Sequence, residues 1–333
     1  MYSKLKAGLL VAGLVVAGLA QATDALPSWN EGDTKKSIIE FVTKTSDAAS
    51  SSYIPESERI AVFDNDGTLW AEKPVYFQLY FALDQLKLMA PEHPEWKTKQ
   101  PYADLLAGKI PKDLTEKDLV ELVMTTHANM SSAEFRNKVQ DWAATAKHPK
   151  TNQLFTDMVY QPMLELLTYL REHGYSTYIV SGGGVDFMRA WAPSVYGIPD
   201  EQIIGSRIEL EYKVIDGKPQ ILRAPKLFFN NDKGGKPVGI QQVIGKQPIM
   251  AFGNSDGDQA MIQWTTSGTG PRFGLLVHHT DAKREWAYDK DSKVGHLDSA
   301  LTMAHEQGWT IADMKNDWLT IFKWEATGQA AKE

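Results

Sequence analysis

Two carboxylates stand two residues apart in the run Asp64-Asn65-Asp66-Gly67-Thr68. One member of such a pair can attack an electrophile while its neighbour handles protons. Neighbouring carboxylates also hold a hard cation such as magnesium through oxygen. Farther along, Ser181-Gly182-Gly183-Gly184 offers a hydroxyl and unobstructed backbone N–H groups to anionic oxygens. Lys236 directly precedes Pro237 at the start of an expected helix, where a cation beside a helix N-terminus makes a phosphate clamp. Lys233, in the same polar loop, is the competing choice. A fourth cluster, Gly253-Asn254-Ser255-Asp256-Gly257-Asp258, adds an amide and two more carboxylates. An acid nucleophile, a metal and a phosphate cradle together suit phosphoryl transfer, in which positioning and charge neutralisation carry most of the catalysis.

These groups lie far apart in the chain, so the fold must bring them together. Three of the clusters begin where a short apolar run stops: Arg59 to Phe63, Tyr178 to Val180, and Ile249 to Phe252. Such runs read as buried parallel strands, and ligands of open α/β sheets bind at the carboxyl ends of the strands. Thr34 to Lys44 reads as a helix. So does Pro162 to His173, with Pro near its start and Gly174 past its end. Ile203 to Ile221 alternates around Asp216-Gly217, a hairpin pattern. Pro237 to Ile244 is a short helix, and Phe273 to Val277 the last clear strand. Strands alternating with helices predict a doubly wound α/β fold with a parallel sheet. Between 76 and 160 the patterns are helical: Tyr76 to Met89, Asp113 to Met130, and a helix opened by the capping box Ser131 to Glu134. The expected organisation is a core of 23–75 and 161–333 with a helical cap, 76–160, inserted after the first catalytic strand.

In this order and spacing, the clusters resemble the haloacid dehalogenase superfamily, and within it the phosphoserine-phosphatase-like branch. Val62-Phe63-Asp64-Asn65-Asp66-Gly67-Thr68-Leu69 matches its DxDGT motif after a strand, Val180-Ser181-Gly182-Gly183 its second motif, Lys236 its third, and Gly253 to Asp258 its fourth. The resemblance spans roughly residues 58 to 280 and implies a magnesium-dependent phosphatase. Asp64 would form an aspartyl-phosphate, and Asp66 would protonate the leaving group and then activate water. Ser181, Gly182 and Lys236 would bind phosphate, and Mg2+ would sit among Asp64, the backbone carbonyl of Asp66, Asn254 and Asp258. The family's dehalogenases lack the second Asp and its ion pumps carry Thr there, so Asp66 favours a phosphatase or a phosphotransferase. The sequence departs from the family at Asn254, where Asp is usual. An amide oxygen still ligates magnesium but brings no charge, so Asp256 or Asp258 is the alternative ligand and a turn residue the alternative role for Asn254. The expected substrate is a small phosphomonoester. A phosphotransferase or mutase would use the same groups, and Asn254 alone would suit a member that binds a phosphorylated ligand without turnover.

The remaining candidates carry less. Glu72 lies where the cap should begin and is either a substrate contact or a solvated charge. His278 and His279 follow the last strand, but neighbouring strand residues point to opposite faces, so both cannot easily hold one metal. The scattered tryptophans read as packing. The GxG within 268–274 precedes a strand and is no dinucleotide fingerprint.

A net charge of -7 argues against a nucleic-acid partner. Lys4, Lys6, the apolar stretch Ala7 to Ala20 and Ala20-Gln21-Ala22 form a signal-peptide pattern, too short for a comfortable membrane span. Its removal lowers the net charge by two and leaves no stable membrane anchor. With no cysteine in the chain, no disulfide can form on the way to the expected periplasmic or secreted destination.

Overall fold

The computed structural model describes residues 24–111 and 114–326; the expected leader lies outside the described residues. Seven strands are β1 (Ile60–Phe63), β2 (Ser176–Gly184), β3 (Ile203–Ile215), β4 (Lys218–Phe229), β5 (Met250–Gly253), β6 (Phe273–His278) and β7 (Thr310–Asp313). They form one sheet in the order β4-β3-β2-β1-β5-β6-β7. Every neighbouring pair is parallel except β3 with β4. This is the expected α/β fold, with β7 as an edge strand that its short Thr310-Ile311-Ala312-Asp313 pattern did not announce.

Side-chain alternation along the strands divides the core. Ala61, Phe63, Ile179 and Phe252 join one buried cluster, packed by α1 (Asp33–Ser46) through Ile38 and Val42 and by a second helix, Gln161–Glu172, through Leu166 and Leu170. Ile60, Val62, Val180 and Ala251 join the opposite cluster, covered by helices Gly235–Val243, Gln259–Thr266 and Ser299–Gln307. A strand buried on both faces must be apolar throughout, which is why β1 reads Ile-Ala-Val-Phe.

Between β1 and β2 lie α2 (Phe77–Met89), α3 (Tyr102–Leu106), α4 (Glu116–His127) and α5 (Ser132–Thr145). They have a small core of their own, in which Leu86, Trp96, Tyr102 and Leu122 meet. Thr115 caps α4 through a reciprocal capping box with Asp118. Ser131 caps α5 by accepting from the Glu134 amide.

The long β3–β4 hairpin turns at Asp216 and Gly217, both at positive φ (51° and 74°) as a tight two-residue turn requires. It then leaves the sheet to join the helical insertion. The Asn129 amide donates to the Arg223 carbonyl at 2.8 Å, and the Arg223 amide to Met130 at 3.0 Å. The roof over the sheet's carboxyl end is therefore built from the insertion and the hairpin together. The alternation of 203–221 identifies the hairpin but not what its exposed half touches. No helix among the described residues is long and apolar enough to cross a membrane.

Candidate active site

β1, β2 and β5 end side by side, and their loops converge as the strand-end rule requires. Phe63 and Phe252, the last apolar residues before two of these loops, stack with ring centroids 4.3 Å apart. The Asp64 amide donates to the Phe252 carbonyl at 2.9 Å. Gly67 takes a positive φ of 76°, and a Cβ there would lie 2.0 Å from Asn254 Nδ2, so glycine alone lets the first and fourth loops touch.

A cavity of about 360 Å3 opens above these loops and is lined by Asp64, Asp66, Ser181, Gly182 and Lys236. Asn254 and Asp258 are fully buried and do not line it. Lys233 is exposed. The helix carrying Lys236 starts at Gly235, two residues earlier than the pattern predicts, because Gly234 is already helical. Pro237 is tolerated in the first turn, where its missing N–H is not needed.

Lys236 Nζ donates to Asp64 Oδ1 and Asp258 Oδ1, each at 2.6 Å, and to the Val180 carbonyl at 2.9 Å. Those three acceptors use all three ammonium protons. Burial works against the charge on Lys236, but Asp258 and Asp64 outweigh it and hold the amine well above its usual range. Burial pushes the Asp64 carboxyl well up, the Asp258 charge adds to this, and Lys236 opposes both.

Asp66 is raised to about 6, mainly by burial. The Trp70 indole, which donates to Asp66 Oδ1 at 2.8 Å, pulls the other way. A carboxyl in that range can give and take a proton near neutrality. Ser181 accepts from the Gly183 amide at 3.0 Å, and its carbonyl is held by Asn231 at 2.9 Å.

Asp258 Oδ2 accepts from the Asn254 amide, the Ser255 amide and the Ser255 hydroxyl at 3.0, 3.1 and 3.1 Å. With Lys236 on Oδ1, both oxygens are taken, so Asp258 fixes the fourth loop and the lysine. Asp256 faces elsewhere: it accepts from the amides of Asp298, Ser299 and Ala300 and so caps the helix Ser299–Gln307.

Glu72 is no solvated charge. It is 1% exposed, and its Oε1 accepts from Asn254 Nδ2 at 2.8 Å and from the Tyr288 hydroxyl at 2.7 Å. Burial raises it to about 7, against the pull of His279 and Tyr288. Asn254 Oδ1 accepts from Thr68 at 3.1 Å and keeps a second lone pair. His279 holds the Gly67 carbonyl at 2.7 Å and faces Glu285 at 3.2 Å, so one of the paired histidines braces the first loop. Thr68 belongs to the first motif and Trp70 lies just past it, but Tyr288 and Asn231 carry no sequence signal, because their partners Glu72 and Ser181 lie 216 and 50 residues away.

The oxygen-only donor set suits a hard cation. Asp64 and the Asn254 amide oxygen belong to it, and among the described residues there is no cluster of three His, Cys, Asp or Glu that could form a metal cage. Magnesium takes one or two carboxylates, other oxygens and water, so the residues fit it.

The chain matches the haloacid dehalogenase-like hydrolase family over residues 61–263. None of the curated proteins compared matches it. Its fold is similar to that of a conserved functionally unknown protein from Anaerococcus prevotii, at 18% identity and TM-score 0.51, over 77% of this chain and 88% of that one. A protein of unknown function from Bordetella pertussis aligns at 14% identity and TM-score 0.48, over 77% and 99%. A phosphoserine phosphohydrolase-like protein from Francisella tularensis aligns at 16% and 0.36, over 74% and 98%. With the family match covering more than half its length, this chain belongs to the haloacid dehalogenase-like hydrolases.

Proposed function

We propose that this protein is an exported, magnesium-dependent phosphomonoester hydrolase. The observation that carries the reading is Asp64: a buried carboxylate on the cavity wall, held by Lys236 at 2.6 Å, with Asp66 beside it in the same cavity. Asp64 attacks phosphorus and displaces the alcohol, which takes its proton from Asp66. Water then attacks the aspartyl-phosphate, gives a proton back to Asp66, and releases inorganic phosphate and Asp64. Lys236 aims the Asp64 oxygen and offsets its charge. Ser181 and the Gly182 backbone bind the phosphoryl oxygens.

Asp64, the Asp66 backbone carbonyl and Asn254 would hold magnesium, and Asp258 positions them. When bound, the ion neutralises charge on the transferring phosphoryl group. Glu72, by holding the Asn254 amide nitrogen, leaves the amide oxygen as the end available to a cation. Export rests on the leader pattern within 1–22 and the absence of cysteine.

The test is a rapid acid quench during turnover of a chromogenic phosphomonoester. A hydroxylamine-labile phosphoryl group on the peptide containing Asp64 is expected. A phosphoryl group on a different side chain would overturn the nucleophile, and full activity after exhaustive chelation would overturn the metal.

A further inference from the structure

The far wall of the cavity differs from its phosphate end. Leu119, Val120, Val123 and Met124 of α4 all line it. They fall at helical spacing, and each is only half-buried although the helix is packed on α2 and β4. An apolar helix face left partly open inside a cavity is unfilled hydrophobic surface. Leu79 and Phe135 continue it from the neighbouring helices.

The polar groups on this side already have protein partners. Gln78 accepts from the Gly184 amide at 2.8 Å and meets His127 Nε2 at 3.2 Å. The other ring nitrogen of His127 bonds Thr126 at 2.7 Å. Arg223 is paired with Asp186, donates to the His127 carbonyl at 2.7 Å, and lies 3.9 Å from the Phe135 ring centroid. Sugar hydroxyls or a base edge entering here would give up hydrogen bonds to water and find few partners. Of the other polar residues lining the cavity, Ser206 and Asp232 lie at the phosphate end, where Ser206 donates to the Gly182 carbonyl at 2.7 Å and a Cβ on Gly182 would meet Asp232 Oδ1 at 3.3 Å, while Arg207 donates to Gln242 at 2.8 Å.

We propose that the substrate is a phosphomonoester of an apolar, uncharged alcohol, whose alkyl or aryl part packs on the α4 face while its phosphate sits over Asp64. This rests on the phosphatase reading and names its substrate class. A cavity of about 360 Å3 has room for both parts, since an apolar space of ~150 Å3 already takes a benzene ring.

The first test is calorimetric titration of the intact protein with hexylphosphonate and with methylphosphonate, in magnesium; neither is hydrolysed. A fully buried methylene is worth about fourfold in affinity. At half that free energy for a half-open wall, the hexyl chain should bind about 30-fold more tightly. Val123→Asn should narrow that ratio by about tenfold. Equal affinity of the two phosphonates would overturn the substrate class.

The second test compares kcat/KM for hexyl phosphate, glucose 6-phosphate and phosphoserine, all esters of alkyl alcohols. The hexyl ester should lead by at least about tenfold. Asp64-dependent turnover led by a polar ester would overturn the substrate class and leave the phosphatase reading standing. Turnover of no ester would overturn both.

Discussion

Replacing Lys236 by Met removes the cation that lies 2.6 Å from both Asp64 and Asp258. Asp258 is 0% exposed and does not line the cavity, so its carboxylate is left buried without its cation. Breaking a buried ion pair by deleting one partner costs about 3–5 kcal/mol, because the other charge stays buried. Unfolding entropy of ~2.1 cal/mol/K per residue converts this to a fall in Tm of about 4–7 °C for a chain of this size.

The loss should depend on pH. In the variant, burial and the Asp258 charge raise the folded-state pKa of Asp64 above the unfolded value of about 3.9 with no Lys236 to oppose them. A group raised on folding contributes its stability below the unfolded pKa and loses it as pH rises through the folded one. The deficit should therefore be largest near pH 8 and shrink steadily toward pH 4. Calorimetric melts of the parent and Lys236→Met across that range measure it, and Asp258→Asn added to the variant should recover part of the loss. A deficit under about 2 °C, or one of the same size at every pH, would refute the claim that Lys236 neutralises two buried acids.

Three further outcomes are expected. Asp66 must carry a proton to serve the leaving group, and its carboxyl is raised to about 6. The pH profile of kcat/KM should therefore fall above about pH 6, and Trp70→Phe, which removes a hydrogen bond that holds the carboxyl down, should move that limb upward. Glu72→Gln should weaken magnesium binding by about 10–100-fold, the usual cost of losing a group that orients a ligand; titration calorimetry would show it, and unchanged affinity would count against the role of Glu72. Expression in a bacterial host should give a mature protein beginning at Thr23, and N-terminal sequencing of an intact Met1 form in the cytoplasm would argue against export.

The doubly wound core was legible because strands buried on both faces leave uninterrupted apolar runs, and each run ends at a chemistry-bearing loop. Asp64, Asp66, Ser181 and Gly182 were legible for the same reason and Lys236 from its place before Pro237 at a helix start, and all five line one cavity. β7 was not, because an edge strand needs only Ala312 fully buried and shows no run. Glu72 was half legible: its position beside the first motif drew attention to it, but burial against Asn254 and Tyr288 depends on loops 182 and 216 residues away. The same holds for His279, whose partner Gly67 is 212 residues distant. The roof was misjudged in one respect, since the hairpin that closes it reads in sequence only as two alternating strands. Contacts made across the fold leave no periodic mark.

The most direct measurement is turnover of 4-nitrophenyl phosphate in magnesium by the parent and by Asp64→Asn, each shown to be folded by its melt. Loss of at least about a thousandfold in kcat, as expected when a nucleophile is removed, is the predicted result. An Asp64→Asn protein that turns over at the parental rate would contradict the account at its centre.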